Sequence, residues 1–471
     1  MDIDPILVFI AEGIESQKMF SMNVANKRVK HRYFATLSMT NHIWVNCYII
    51  AINNGLCMCR HLLLLLLIIL PFTGSAQFSR SHTPSVRTPR MELNGEWNVP
   101  PVMRLDSDDE LLFSFDEMSH TYKRYIYRVT HCNADWSTSS LLAVDFIAGF
   151  NDVPIEEWEN SINTTQLYTT YSFTIPNENM SLKVSGNYRL EVFDDEDDSD
   201  FPVASFEFSV VEPRVALTAS VSGDTDRSFN DGEQQLSFCV DYSRYSIANP
   251  AGEIIPVIYQ NRRRDNAVYG VKPTYVTGDR LEYVHNDKLI FNAGNEYRRF
   301  EITDPNSPGL NVEEVVYSAP YYHALLYIDR QRRSHSNYRD ENGRFYVNTL
   351  EGYGSNIEAD YLYVHFALEV PYRTGGNYYL SGDAFGDTFT LLNRLDYDAE
   401  GGYYCATHLL KLGLYNYMYV WVPDDAVVAS TVVSEGDFFE TENEYLIYIY
   451  HRAFGDRYDR LVGVEVVESF Y

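Results

Sequence analysis

Between positions 131 and 136 the chain reads HCNADW, followed by STSS, so histidine, cysteine, aspartate and tryptophan share one short window. Imidazole and thiol are the groups that a zinc site or a cysteine nucleophile uses. The spacing argues against both. His131 and Cys132 are adjacent, and adjacent side chains on a strand leave opposite faces, so they cannot converge on a metal or on each other without a bend. Asp135 ahead of Trp136 and Ser137 suits a turn, with the carboxylate accepting backbone amides and the indole covering a core. The window reads as structure.

Other residues invite the same question. The acidic run DDEDDSD (194–200) could offer oxygens to calcium, but it lacks the glycine and the terminal glutamate of an EF-hand loop. It is expected to be a solvated hairpin tip. Cys405 and His408 stand three apart in CATH without a second ligand pair, which gives little ground for a metal. Tyr415, Tyr417, Tyr419 and Trp421 recur at every second position. Such a row can stack on sugars, yet alternating aromatics more often pack on a sheet core. No GxSxG elbow, HExxH helix, P-loop or dinucleotide fingerprint occurs. No catalytic, cofactor-binding or metal-ligating residue is assigned, and the chain is expected not to be an enzyme.

The elements that would hold these residues are strands. Of 471 residues, 45% are hydrophobic and 15% aromatic, with 38 tyrosines, a composition that favours half-buried sheet surfaces. Alternation places Tyr125, Tyr127 and Val129 on one face, and Phe206, Phe208 and Val210 on another. YLYVHFALEVP (361–371), YNYMYVWVP (415–423) and EYLIYIYHR (444–452) behave alike, and turn signals such as SGN (185–187) and EGG (400–402) separate the strands. The expected fold is all-β, built from tandem immunoglobulin-like antiparallel β-sandwich domains. Pro213 and the connector DPNSPGLNVEE (304–314) suggest domains at 88–213, 214–308 and 312–471. The formal charge of −29 argues against nucleic acid or an anionic membrane surface as partner.

The opening 76 residues differ. MCRHLLLLLLIILPFTGSAQ, from Met58, has a basic start at Arg60, an apolar run from Leu62 to Leu70, and small residues at Gly74 and Ala76. That is the layout of a secretory signal peptide over 58–76, too short to span a bilayer. Residues 1–57 then read as a misplaced start, with the mature chain beginning near Gln77. Of six cysteines only Cys132, Cys239 and Cys405 follow the signal, too few and too far apart for a disulfide scaffold.

Many longer stretches stand in a distinctive order: HCNADW, FIAGFNDVPIEEWENSINTTQLYTTYSFTIPN (146–177), SGNYRLEV (185–192), QNRRRDNA (260–267) and GNEYRRFE (294–301). YYLSGDAF (378–385), LLKLGLYNYMYV (409–420), SEGDFFETENEYLIYIYHR (434–452) and YDRLVGV (458–464) follow. Together they resemble the plug protein family of the Bacteroidetes type IX secretion system, from about Leu93 to Tyr471. The resemblance implies a non-enzymatic periplasmic protein with no cofactor and no membrane insertion. It would lie against the periplasmic face of the outer membrane and occlude the large β-barrel translocon when no cargo is engaged. LSGDAF with LKLGLYNYMYV also looks like immunoglobulin-like modules attached to glycan-active enzymes, so a periplasmic glycan-binding module or accessory protein is the alternative. HCNADW becomes, on this reading, a fold signature of the first domain.

Overall fold

The computed structural model describes residues 79–469, apart from 198–199, 351–354 and 387–388. The expected extension (1–57) and signal peptide (58–76) lie outside the described residues. What the alternating pattern builds is strand after strand, and the α-helices among the described residues are single turns, such as Ala143–Phe146. No helix of the described residues is long and apolar enough to cross a membrane. The chain is all-β, and its strands pair antiparallel except for three short parallel pairs.

Three large hydrophobic cores form among the described residues, each between two sheets. In the first, Tyr125–Cys132, Gly186–Asp194 and Ala204–Val211 make one sheet, and Val86–Leu93, Leu111–Glu117 and Thr169–Ile175 make the other. Tyr125, Tyr127 and Val129 point inward as the alternation predicts, and Phe113 meets Phe206 edge-on at 5.3 Å across the gap. In another core, Tyr361–Glu369 and Tyr403–Lys411 face Gly413–Pro423. Leu362, Val364, Phe366 and Leu368 lie on its inner side.

The middle core is assembled from distant parts of the chain. Glu233–Asp241 anchors one of its sheets, and Ile254–Gln260 pairs with Glu444–His451, which pairs in turn with Arg460–Glu468. Strand pairing thus crosses the expected division between 214–308 and 312–471 twice. The final hairpin completes the sheet of Ile254–Gln260, and Arg298–Ile302 pairs with Gly413–Pro423. The reason is visible in the side chains. Glu444–His451 is buried along its whole length. Tyr445, Ile447 and Ile449 enter the middle core, while Leu446, Tyr448 and Tyr450 enter a smaller one against Ala134 and Val211. A strand apolar on both sides needs a covering layer on each, and only a position between two packed bodies supplies both. Ser75–Tyr471 form one compact unit.

Candidate functional site

His131, next to last in its strand, is fully buried and stacked edge-on against Tyr188 and Tyr458. Its Nε2 lies 3.2 Å from the Ser185 carbonyl, an acceptor only, so that nitrogen carries the proton and Nδ1 accepts from the Ser139 hydroxyl at 2.9 Å. Burial lowers its pKa to about 4. The ring explains the glycine of SGNYRLEV: a Cβ on Gly186, whose φ is +139°, would sit 2.4 Å from Nε2. Cys132 is turned away and buried, and burial pushes its thiol up to about 12, so it holds no thiolate at neutral pH. Asp135 accepts from the Ser137 amide at 3.0 Å, the turn expected of it.

The rest of the window makes a joint. The Trp136 indole donates to the Tyr259 hydroxyl at 3.2 Å, and the Arg264 guanidinium lies over the ring at 4.2 Å. Arg264 also pairs with Glu207 at 2.6 Å, and Arg189 pairs with the other oxygen at 2.9 Å. The Ala134 amide donates to Asp459 at 2.9 Å, and Tyr450 donates to Asn187 at 2.7 Å. All of these contacts except Arg189–Glu207, which lies within one sheet, link the first pair of sheets to the middle one. The arginines of QNRRRDNA part company here, because positive φ at Asn261 and Arg262 turns the backbone sharply. Arg262 reaches Asp383 and Glu444, Arg263 grips Asp265 at 2.7 Å, and Arg264 crosses to Glu207.

A second joint ties the first pair of sheets to the pair around Gly413–Pro423. The Lys411 ammonium and the Asp116 carboxylate, both fully buried, meet at 2.6 Å. Tyr361 and Thr170 donate to the same carboxylate at 2.6 and 2.7 Å, and Lys411 stands 4.2 Å above the Tyr168 ring. Burial pulls the lysine down to about 8 against the opposing pull of Asp116. Asp360 accepts from the Thr165 and Gln166 amides across the same boundary.

The row Tyr415, Tyr417, Tyr419 and Trp421 is core, and its hydroxyls explain nearby motifs. Tyr417 and Tyr419 donate to Asp329 at 2.7 and 3.0 Å, and Arg298 of GNEYRRFE bridges Asp329 to Glu435 of SEGDFFETENEYLI. Burial alone would raise Glu435, but Arg298 and Arg332 outweigh it and hold the carboxyl below its ordinary value. The place where a general acid would be sought is Glu296 with Asp340, pushed up to about 7 and about 8, chiefly by burial. Both carboxyls already accept backbone amides, Glu296 from Glu442 at 2.9 Å and Asp340 from Asn342 at 2.7 Å, so they splice loops.

The acidic run follows the Gly186–Asp194 strand, with Asp195 paired to exposed Arg124 at 2.9 Å and Asp198 outside the described residues. Cys132, Cys239 and Cys405 are free thiols. No group of three or more histidine, cysteine or acidic side chains placed to hold a metal occurs among the described residues. Sequence reasoning missed Asp116, Glu207 and Lys411. The signal was charge inside an apolar strand (LLFSFDE, ASFEFSVV, YYCATHLLK), since such a residue is almost never fully buried unless paired.

Comparison with known proteins agrees with this architecture. Residues 86–212 match the family model described as the type 9 secretion system plug protein 1st domain. The crystal structure of a hypothetical protein from Parabacteroides merdae superposes with a TM-score of 0.82 at 37% identity, covering 83% of this chain and 99% of that one. No curated protein matches.

Proposed function

This chain belongs to the type 9 secretion system plug family, and from that premise we propose that it is a non-enzymatic periplasmic plug. It binds the periplasmic opening of the outer-membrane translocon barrel and occludes it when no cargo is engaged. The match of residues 86–212 to the plug first domain carries the reading. The buried joints support it. A cover over a wide opening must not bend where its parts meet, and breaking a buried ion pair such as Asp116–Lys411 costs about 3–5 kcal/mol. A net charge of −29 suits a polar interface that can release. The glycan-binding alternative loses one support, because the tyrosine row that could have stacked on sugars is buried.

Deleting the gene tests the proposal. Cells without the protein should become sensitive to large antibiotics that the outer membrane excludes, and removing the translocon as well should restore resistance. Equal sensitivity with and without the translocon would refute the plug.

A further inference from the structure

Between the Val86–Leu93 strand and the Tyr403–Lys411 strand lies a cavity of about 170 Å³, well below the ~300–1,000 Å³ of drug-sized sites. Arg87 and His408 both line it. Arg87 Nε and His408 Nε2 are each buried without a hydrogen-bond partner among the described residues. Two such nitrogens against one cavity are costly, because a buried donor without an acceptor loses its water for nothing. Arg87 also forms no ion pair among the described residues, in a chain of net charge −29. Asp383, the carboxylate on the wall, is engaged by Arg262 at 3.6 Å. An adjoining cavity of about 70 Å³ shares Asp383 and Phe345 and is lined by Arg90, Glu92, Arg262 and Arg344, the last two paired with Glu444.

The remaining walls are apolar. Phe345, Phe385, Leu410 and Tyr415 face the same space, and the His408 ring packs edge-on against Phe385 at 5.1 Å. A guanidinium and an imidazole on one side and hydrocarbon on the other describe an amphiphilic guest. We propose that this cavity binds a carboxylate carried on a short apolar stem, its oxygens taken by Arg87 and His408 and its carbons by the aromatic wall. Guanidinium and carboxylate match in geometry and charge. A phosphate would strand its further oxygens against hydrocarbon, where an unpaired polar atom is unfavourable. The site lies within the seam between two pairs of sheets and stands independently of the plug reading.

The full chain, titrated with sodium butyrate against sodium chloride at equal ionic strength, tests the assignment by calorimetry. Saturable butyrate binding is expected, weakened at least tenfold in Arg87→Met and retained in part by Arg87→Lys. Acetate, with a shorter stem, should bind more weakly, and inorganic phosphate should not compete. The His408 ring resonances of the wild-type protein should move as butyrate binds, a readout that needs no variant to fold. No saturable binding, undiminished binding by folded Arg87→Met, equal competition by phosphate, or unmoved His408 resonances would each overturn the site.

Discussion

The two joints of the first pair of sheets solve one problem with different chemistry. At the Trp136 joint, Glu207 is shared by Arg189 and Arg264, an indole and a tyrosine hydroxyl close the gap, and backbone amides bond across it. At the Lys411 joint, one ammonium and one carboxylate are sealed from water, and the donors around Asp116 are side-chain hydroxyls and the ammonium itself. The first joint is distributed and the second is concentrated. A shared charge survives the loss of one partner, whereas a paired charge in a dry site does not.

The largest expected effect therefore belongs to the concentrated joint. Lys411→Met strands the Asp116 charge and should lower stability by about 3–5 kcal/mol in denaturant unfolding, with Asp116→Leu added to it recovering part of the loss. Arg264→Leu leaves Arg189 on Glu207 and should cost about 2 kcal/mol. Equal losses at the two sites would erase the distinction.

A pH-dependent effect also separates the joints. Burial keeps His131 neutral in the fold down to about pH 4, while the unfolded chain protonates it near its ordinary value of about 6.5. The unfolded state then holds the extra proton, so this group's stability contribution is intact above about 6.5 and falls as pH drops toward 4, by up to about 1.4 kcal/mol per pH unit. His131→Gln should flatten that part of the stability profile relative to wild type. An unchanged slope would place the acid sensitivity elsewhere. Smallest of all is the acidic tip, which belongs to neither joint. Changing Asp194, Asp195 and Asp197 to Asn should shift stability by no more than about 0.5 kcal/mol, with no response of the melting temperature to calcium. A calcium-dependent rise lost in that variant would restore the metal reading of the run.

How legible this was depended on where each side chain's partner lies. TYKRYIYRVT declared its inner face because one side packs Tyr125, Tyr127 and Val129 into a core and the other is only half covered. HCNADW reads as structure, since adjacent strand residues diverge, but nothing local showed that Trp136 would meet Tyr259 across a boundary. YNYMYVWVP and EYLIYIYHR looked like ordinary alternating strands. Their second faces, Met418 and Val420 in one and Leu446 and Tyr448 in the other, are equally apolar, and that is the mark of a strand covered on both sides. The exchange of the last hairpin into the middle sheet was hidden because pairing partners so distant in sequence leave no trace in any local window.

That exchange puts a clock into the molecule. A growing chain presents Glu233–Asp241 and Ile254–Gln260 long before Glu444–His451 exists to lie beside them. Until the final residues arrive, Ile254, Ile258 and Leu236 have no lid, and the middle core stays open while its neighbours can already close. Contacts of such long range also form slowly, because a large loop must be gathered before any of them is made. The nascent protein thus remains loose at its centre until its last strands have been made.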